Sequence, residues 1–370
     1  MRVALVYDRL NKIGGAEQVL QAFYALFPSA HWYTSVWDKQ RAPFSRHWVV
    51  KSSFISNIVA LRTRHEWIPF LMPFIFESFD FRDYDLVISI GSAESKGIIT
   101  KPGTVHIHYC LTPTRYLYSH KEEYLSNPPY RFIGNILRRW DQVAAIRPDE
   151  MIAISTLVKN RIKKYYNRDA LVIFPPVDTK KFAPTRFTGK LENGNTGLPN
   201  DYFLVVSRLV AYKKIDTLIL AANQSNENLV IVGEGTELTN LKKIAGSSVT
   251  FAGHIDDAEL PGYYQNCRAY LQANEEDFGI SMVEALSAGK PVIAYGQGGA
   301  KDIISSGTVG ILLKSNTVEA FAKAMSEFDT MCYVAADCVK AARRFDTALW
   351  SKQIKERIDQ ICRQNQISKY

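Results

Sequence analysis

The sequence predicts an α/β protein built as two halves, each a parallel sheet with crossover helices. The chain has 370 residues, too many for one ordinary core and suited to two domains of average size. Apolar runs of strand length alternate with helical patterns along its whole length, as in repeated β-α-β units. A stretch with no hydrophobic period, Thr185 to Asn200, separates the two series. It holds Gly189, Gly194, Gly197 and Pro199 and the run Glu192-Asn193-Gly194-Asn195, and reads as an exposed linker.

In the first half, Val3 to Tyr7 is a strand, followed by a loop with Gly14-Gly15 and a helix from about Ala16. Val19, Leu20, Phe23, Leu26 and Phe27 share one face of that helix. Further strands are expected at 86–90, 105–109, 151–154 and 171–174, with Ser155 placed to cap the next helix. Pro175-Pro176 closes the half. In the second half, strands are expected at 202–207, 229–232, 249–252, 269–271, 291–295 and 310–313. Helices are expected near 216–223, 236–245, 258–266, 281–288 and 318–328. Gly233, Gly253 and Gly296 follow strands directly, where a backbone could approach a ligand closely. The tail from about Trp350 is amphipathic and is expected to pack back on the first half. The resulting division is 1–180, a linker 181–200, 201–345, and a returning tail 346–370.

Composition excludes several classes. Hydrophobic residues make up 46% and charged residues 22%, as in an ordinary globular protein. Met1 to Tyr7 is apolar too briefly for a signal peptide and reads as a buried strand. The longest apolar run, Trp67 to Phe76, is broken by Pro69 and Pro73, well short of the roughly 20 residues a membrane-spanning helix needs. The five cysteines are odd in number and none shows CxxC spacing, which argues against a disulfide framework or zinc site. A reducing cytoplasm is the expected location.

The net charge of +8 suits nucleic acid, an anionic membrane surface or a phosphorylated small molecule. Arg131, Arg138, Arg139, Arg147, Lys159, Arg161, Lys163, Lys164 and Arg168 crowd one stretch. Solvated helix faces explain it as well as a membrane-facing role does. Nucleic acid is not expected, because the stretch has no RNP-type aromatic strand and no zinc-finger spacing.

Three segments carry chemistry. Gly14-Gly15-Ala16-Glu17 opens a helix, where bare amides and the helix dipole favour an anion. Arg208 and Lys213 stand five apart in the loop after the second half's first strand. Two cations there would neutralise a diphosphate and stabilise it as a leaving group. The third segment, Glu275 to Leu286, follows a strand and opens a helix. Glu276 lies in its loop and Glu284 one turn into its helix, with seven residues between them. Both can face one crevice, and the amides of Phe278, Gly279 and Ile280 sit where a phosphate would be welcome. Carboxylates so placed suit sugar and ribose hydroxyls.

On these residues the sequence resembles a family 4 (GT4) retaining glycosyltransferase of GT-B fold. Glu276 and Glu284 match that family's E-x7-E motif, Gly14 to Glu17 its glycine loop, and Arg208 and Lys213 its phosphate-binding pair. Gly233-Glu234-Gly235, Phe251 to Ile255, Gly289 to Ala294 and Gly298-Gly299 also match. His106 to Tyr116 is similar to a Tyr-Cys-His-Thr-Pro-x-Arg-Tyr signature of O-antigen-type mannosyltransferases, except that Leu111 stands where the family has histidine.

The resemblance implies two Rossmann-like domains facing a central cleft, with the acceptor on the first and the donor on the second. Glu276 would contact the donor sugar, Glu284 the ribose, and Arg208 and Lys213 the diphosphate. Phe278 to Ile280 would bind phosphate or sugar. Gly14 and Gly15 would approach the phosphate from the first domain, and His254 and Ile255 would lie near the base. His108 is a candidate donor-sugar contact in place of the missing histidine, although alternation on a strand also explains it. Mannose from GDP-mannose is the favoured donor, with UDP-sugars open. The acceptor is a saccharide, expected on a polyprenyl diphosphate in bacterial surface polysaccharide synthesis at the cytoplasmic membrane face.

No cofactor or metal is expected. Asp83-Tyr84-Asp85 is a literal DxD, the metal motif of a different glycosyltransferase fold, but here it precedes a strand and reads as a turn. Phe54 to Phe81 is rich in aromatics and reads either as core under a long loop or as an apolar lip at a bilayer. A GT-B epimerase would need an acid–base pair in the first half, and none stands out. A non-catalytic nucleotide-sugar-binding protein predicts loss of Arg208, Lys213 or Glu276, and all three are present.

Overall fold

The computed structural model describes residues 1–12, 14–58, 62, 68–119, 128–184, 198–199, 201–330 and 332–364. The linker run Glu192–Asn195 and Trp67 lie outside them. The chain forms two compact units, 1–176 with 350–370, and 177–349.

The first unit's sheet contains β1 (Val3–Leu10), β2 (His31–Trp37), β3 (Val49–Ser52), β4 (Leu86–Gly91), β5 (Val105–Cys110), β6 (Glu150–Ala153) and β7 (Leu171–Val172). Among the described residues its order is β3-β2-β1-β4-β5-β6-β7, with every pair parallel. Sequence patterning did not anticipate β2 and β3. β2 reads His-Trp-Tyr-Thr-Ser-Val-Trp, with polar residues at its centre. Thr34 and Ser35 are nonetheless fully buried, because both hydroxyls donate to the Asp8 carbonyl, at 3.3 and 2.6 Å. Satisfied in this way, a hydroxyl enters a core at little cost.

Helices Glu17–Leu26, Met72–Glu77, Pro128–Ala144 and Thr156–Tyr166 cover the sheet. Ser155 caps the last of these, accepting from the Val158 amide at 3.1 Å. The tail helix Thr347–Gln364 packs on this unit, as its amphipathic pattern predicts. Trp350 meets Phe23 edge-on at 4.8 Å and its indole NH donates to the Tyr109 hydroxyl, while Arg357 pairs with Glu150 at 2.7 Å.

Asp83-Tyr84-Asp85 is a turn leading into β4. The Asp85 carboxylate accepts from the Arg2 amide at 2.7 Å, and the Tyr84 ring is buried with its hydroxyl 3.0 Å from that of Tyr33. The aromatic segment is core only in part. Met72, Ile75, Phe76 and Phe81 are core, whereas Phe54, Phe70 and Phe74 are exposed.

The second unit contains β8 (Phe203–Val206), β9 (Leu229–Val232), β10 (Val249–Gly253), β11 (Tyr270–Gln272), β12 (Val292–Tyr295) and β13 (Gly310–Leu313). Their order is β10-β9-β8-β11-β12-β13, again parallel throughout. Leu218 and Ile219 of helix Ile215–Ser225, and Phe321 and Met325 of helix Val318–Ser326, pack against Val205, Ile231, Leu271 and Ile293. Each such side chain contributes about 1.5–3 kcal/mol on burial. Val177 bonds the Phe345 carbonyl at 2.9 Å, which ties residues just after Pro175-Pro176 into this unit.

Counted within each unit, the first strand neighbours the fourth. Connections therefore leave in opposite directions from β1/β4 and from β8/β11. A crevice at the carboxyl ends of those two pairs is the expected ligand position in each sheet.

Candidate active site at the switch point of the second unit

The loop after β8 carries Arg208 and Lys213, and the loop after β11 carries Glu276. The strand order thus brings both loops to one switch point. The Lys213 ammonium pairs with Glu276 Oε1, and both side chains are mostly buried, at 14% and 18% exposure. Arg208 is exposed and donates to the Tyr212 hydroxyl at 2.9 Å. The intervening Leu209 is fully buried and its amide donates to the Glu234 carbonyl at 2.8 Å, which anchors the loop between the two cations.

Glu276 is held by a row of alternate residues. Tyr270, Gln272, Asn274 and Glu276 project to one side of β11 and its extension, as the two-residue period of a strand requires. The Tyr270 hydroxyl donates to Gln272 Oε1 at 3.1 Å, Gln272 Nε2 donates to Asn274 Oδ1, and Asn274 Nδ2 donates to Glu276 Oε1 at 3.1 Å. Gln272 and Asn274 are buried, so the row is a closed polar chain ending on a carboxylate. Sequence reasoning missed it, although the alternation of polar residues is plain in Tyr270-x-Gln272-x-Asn274-x-Glu276.

The Gly298-Gly299 turn braces the same loop. Glu276 and Gly298 form a parallel bridge, and the Gly299 amide donates to the Glu276 carbonyl at 2.9 Å. A side chain at Gly298 would collide with that carbonyl, and its φ of +69° also favours glycine. Gly233, expected to admit a ligand, instead makes room for a neighbouring strand end: a Cβ there would strike the Ser207 carbonyl.

The helix Ile280–Ser287 begins directly after Phe278 and Gly279. Its first turn carries the positive end of the helix dipole, and within it the Met282 amide donates to the Gly279 carbonyl at 3.1 Å. Phe278 is buried, with its ring edge-on to Phe345 at 5.4 Å. Glu284 is 5% exposed and accepts from the Tyr264 hydroxyl at 2.7 Å. Burial, then the Glu284 charge, push the Tyr264 phenol well above its ordinary range, so it stays a proton donor to that carboxylate. Glu284 therefore offers a ligand less surface than Glu276 does.

His254, exposed, and Ile255, half-buried, follow edge strand β10. They lie two strands from β8, roughly 10 Å across the sheet.

Two expectations in the first unit need correction. His108 is 1% exposed in the middle of β5, with Nδ1 2.8 Å from the Ser89 hydroxyl, which also lies 2.7 Å from His106 Nε2. Both faces of this strand are covered, so His108 is a core residue and not a sugar contact. Of the Gly14 and Gly15 amides expected to be bare, that of Gly14 is taken by the Glu17 carboxylate, which reaches back from the helix's first turn.

The first unit's own switch point holds a polar cluster that sequence reasoning also missed. Asp8 accepts the Ser92 and Ser95 amides at 2.7 and 2.8 Å. Glu94 accepts from Arg9 at 2.8 Å and from the Tyr116 hydroxyl at 2.6 Å. Lys96 and Asp141 form a buried ion pair shared with the Thr114 hydroxyl. Apolar β4 running into Glu94-x-Lys96 is the signal that could have found these residues.

The chain is thus two doubly wound α/β units, the second with Arg208, a Lys213–Glu276 pair and a helix N-terminus at its switch point. Residues 192–345 match the family model described as glycosyl transferases group 1. A GDP-mannose-dependent alpha-(1-6)-phosphatidylinositol monomannoside mannosyltransferase of Mycobacterium tuberculosis is 30% identical over 223 residues, covering 55% of this chain and 58% of that protein. O-antigen chain mannosyltransferase C of Escherichia coli is 24% identical over 205 residues, 53% of this chain and 52% of that protein. The chain thus spans little more than half the length of these curated relatives. The fold extends further: Anabaena Alr3699/HepE, solved in complex with UDP, superposes with a TM-score of 0.71 at 18% identity, over 97% of this chain and 100% of that one. The architecture is of the GT-B class, and the chain resembles mannosyltransferases.

Proposed function

We propose that the chain is a retaining glycosyltransferase that binds a nucleotide-diphosphate sugar on its second unit and passes a hexose to a saccharide acceptor. The observation that carries this reading is the Lys213–Glu276 pair at the β8/β11 switch point, braced by Asn274 and flanked by Arg208. A nucleoside diphosphate leaves with added negative charge, and fixed cations stabilise it where water is excluded. Arg208 and Lys213 take that role, with the amides after Phe278. Glu276 orients the donor sugar through its hydroxyls, and Glu284 meets the ribose. No metal is required, because these groups supply the charge.

The acceptor oxygen attacks the anomeric carbon on the face the diphosphate leaves. The new C–O bond forms as the sugar–phosphate bond breaks, and the acceptor's proton passes to the departing phosphate. No enzyme nucleophile takes part, and a trapped glycosyl-enzyme would contradict this route.

Mannose from GDP-mannose is the favoured donor, supported by the mycobacterial relative's name. A UDP-sugar is the second reading, favoured by the superposition on a protein solved with UDP. The acceptor is a saccharide of bacterial surface polysaccharide assembly, supported by the O-antigen chain in the Escherichia coli relative's name, and we place it on a polyprenyl diphosphate. Such an acceptor places the enzyme peripherally on the cytoplasmic membrane face.

The test is nucleotide release from GDP-, UDP- and ADP-sugars, with and without bacterial lipid extract, for wild type and Glu276→Ala. Lipid-stimulated release from one donor, lost in the variant, is expected. Binding of nucleotide without release from any donor would favour a non-catalytic binding protein.

A further inference from the structure

In the Lys213–Glu276 pair the carboxylate is fixed and the ammonium is not. Asn274 Nδ2 donates to Glu276 Oε1 at 3.1 Å, and the Glu276 backbone bridges to Gly298 and accepts the Gly299 amide at 2.9 Å. The carboxylate is thus held through its side chain and its main chain together. Lys213 ends a short 3-10 turn, Ala211–Lys213, where its amide donates to the Val210 carbonyl at 3.0 Å. Beyond that anchor, four methylenes carry the charge, and an ammonium on such a stem can change partners by rotation alone. It bonds Glu276 Oε1 and lies 5.2 Å from the centre of the Tyr212 ring. The hydroxyl of the same ring accepts from Arg208 at 2.9 Å, so Tyr212 adjoins both cations.

The two cations are therefore unequal. Among the described residues the Arg208 guanidinium bonds only a neutral hydroxyl, so a diphosphate competes with no carboxylate for it. For Lys213 a diphosphate competes with Glu276. The two oxygens of Glu276 are unequal as well. Among the described residues its side-chain hydrogen bonds and its ion pair fall on Oε1, which leaves Oε2 to accept a sugar hydroxyl. Glu276 is only 18% exposed, and a carboxylate so shielded from water needs donors around it. Hydroxyls of a bound sugar can take the place of the ammonium in that role.

We propose that Glu276 discriminates the donor from the spent nucleotide by drawing Lys213 back from the diphosphate once the sugar has left. The inference rests on the reading that a nucleotide-diphosphate sugar binds at the β8/β11 switch point, and extends that reading to product release. With the donor bound, sugar hydroxyls satisfy Glu276 and Lys213 turns to the diphosphate. In the transfer step the bond from acceptor oxygen to anomeric carbon forms as the sugar–phosphate bond breaks, and the acceptor's proton passes to the phosphate. Glu276 then keeps Asn274 but loses the hydroxyls, and it repels the nearby phosphate oxygens as a like charge. Re-forming the Lys213–Glu276 pair removes both penalties and leaves the nucleoside diphosphate held by one side-chain cation fewer.

Glu276→Gln tests this, because it keeps the shape of the side chain and the bond from Asn274 but cannot neutralise Lys213. The full chain is titrated calorimetrically with GDP, GDP-mannose, UDP and UDP-glucose. The variant is expected to bind the nucleoside diphosphate at least about tenfold more tightly than wild type and to release it about tenfold more slowly in stopped-flow measurements. Its affinity for the matching nucleotide sugar should change by less than about threefold, because the charge relieved at Lys213 is offset by weaker bonds to the sugar hydroxyls. A damaged fold does not tighten binding, so a structural role for Glu276 would not give this result. In a Lys213→Ala background the same substitution should alter nucleoside diphosphate binding by less than about threefold. Binding of the nucleoside diphosphate that Glu276→Gln leaves unchanged or weakens would overturn the proposal. Equal tightening for the nucleotide sugar, or the full tightening without Lys213, would overturn it too. Failure of the wild type to bind any of the four ligands would instead overturn the donor-site reading, and this inference with it.

Discussion

Replacing Asn274 by alanine should separate positioning from stability at the candidate site. The change removes the 3.1 Å bond that Asn274 Nδ2 donates to Glu276 Oε1. A hydrogen bond to a charged group contributes about 1.5–3 kcal/mol, and here it holds a carboxylate that must meet the donor sugar. If that energy is spent on orientation, turnover falls about 10- to 150-fold. The same change leaves Gln272 Nε2 without its acceptor in a buried place, at a cost of about 1–3 kcal/mol in stability. For a unit of this size the melting temperature drops by about 2–12 °C. Gln272→Leu/Asn274→Leu removes both polar partners, and Tyr270 keeps the Val206 carbonyl at 3.3 Å. Stability should then return to within about 1 kcal/mol of wild type while turnover stays low. The assays are thermal melting and nucleotide release. Asn274→Ala that melts early but turns over within about threefold of wild type would refute the argument, because Glu276 would then not depend on the row.

Lys96→Met leaves the Asp141 carboxylate buried without its cation and should cost about 3–5 kcal/mol by chemical denaturation, while Lys96→Met/Asp141→Leu should recover most of it. His106 is held neutral, chiefly by burial and then by Arg168 and Arg147, with its pKa lowered to about 3, and His108 is lowered well below its usual value by burial, then Lys96 and His106. The unfolded chain therefore binds more protons than the folded one below about pH 6.5, and stability falls as pH drops from there toward 3. The loss is at most about 1.4 kcal/mol per pH unit for each histidine, and His106→Phe should flatten the denaturation midpoint between pH 7 and 4. Gly298→Ala forces a side chain against the Glu276 carbonyl at positive φ; a cost of about 1–3 kcal/mol and reduced turnover are expected from melting and nucleotide release.

Much of the architecture is legible in the sequence because parallel strands buried on both faces read as unbroken apolar runs. β9 and β13 begin and end where the runs do. β2 is not legible, since its Thr34 and Ser35 are made apolar in effect by a carbonyl from β1, which is a tertiary fact. Arg208, Lys213 and Glu276 are legible through their loops at strand ends, and the strand order unites them. His108 misleads because a histidine on a strand looks the same from sequence whether it faces Ser89 or a ligand. Gly14 misleads because Glu17, three residues on, fills the anion position itself. The Asp8–Arg9–Glu94–Tyr116 cluster was hidden because its members come from three separate segments.

Arg208 and Lys213 at the β8/β11 switch point are expected to bind a nucleoside diphosphate. Calorimetric titration of GDP, UDP and ADP into the full chain, and into Arg208→Ala and Lys213→Ala, tests it without an acceptor. One nucleotide should bind, and each variant should weaken it by about tenfold or more, as expected for a lost charge-assisted contact. Binding left unchanged by both substitutions, or no binding of any of the three, would contradict the claim.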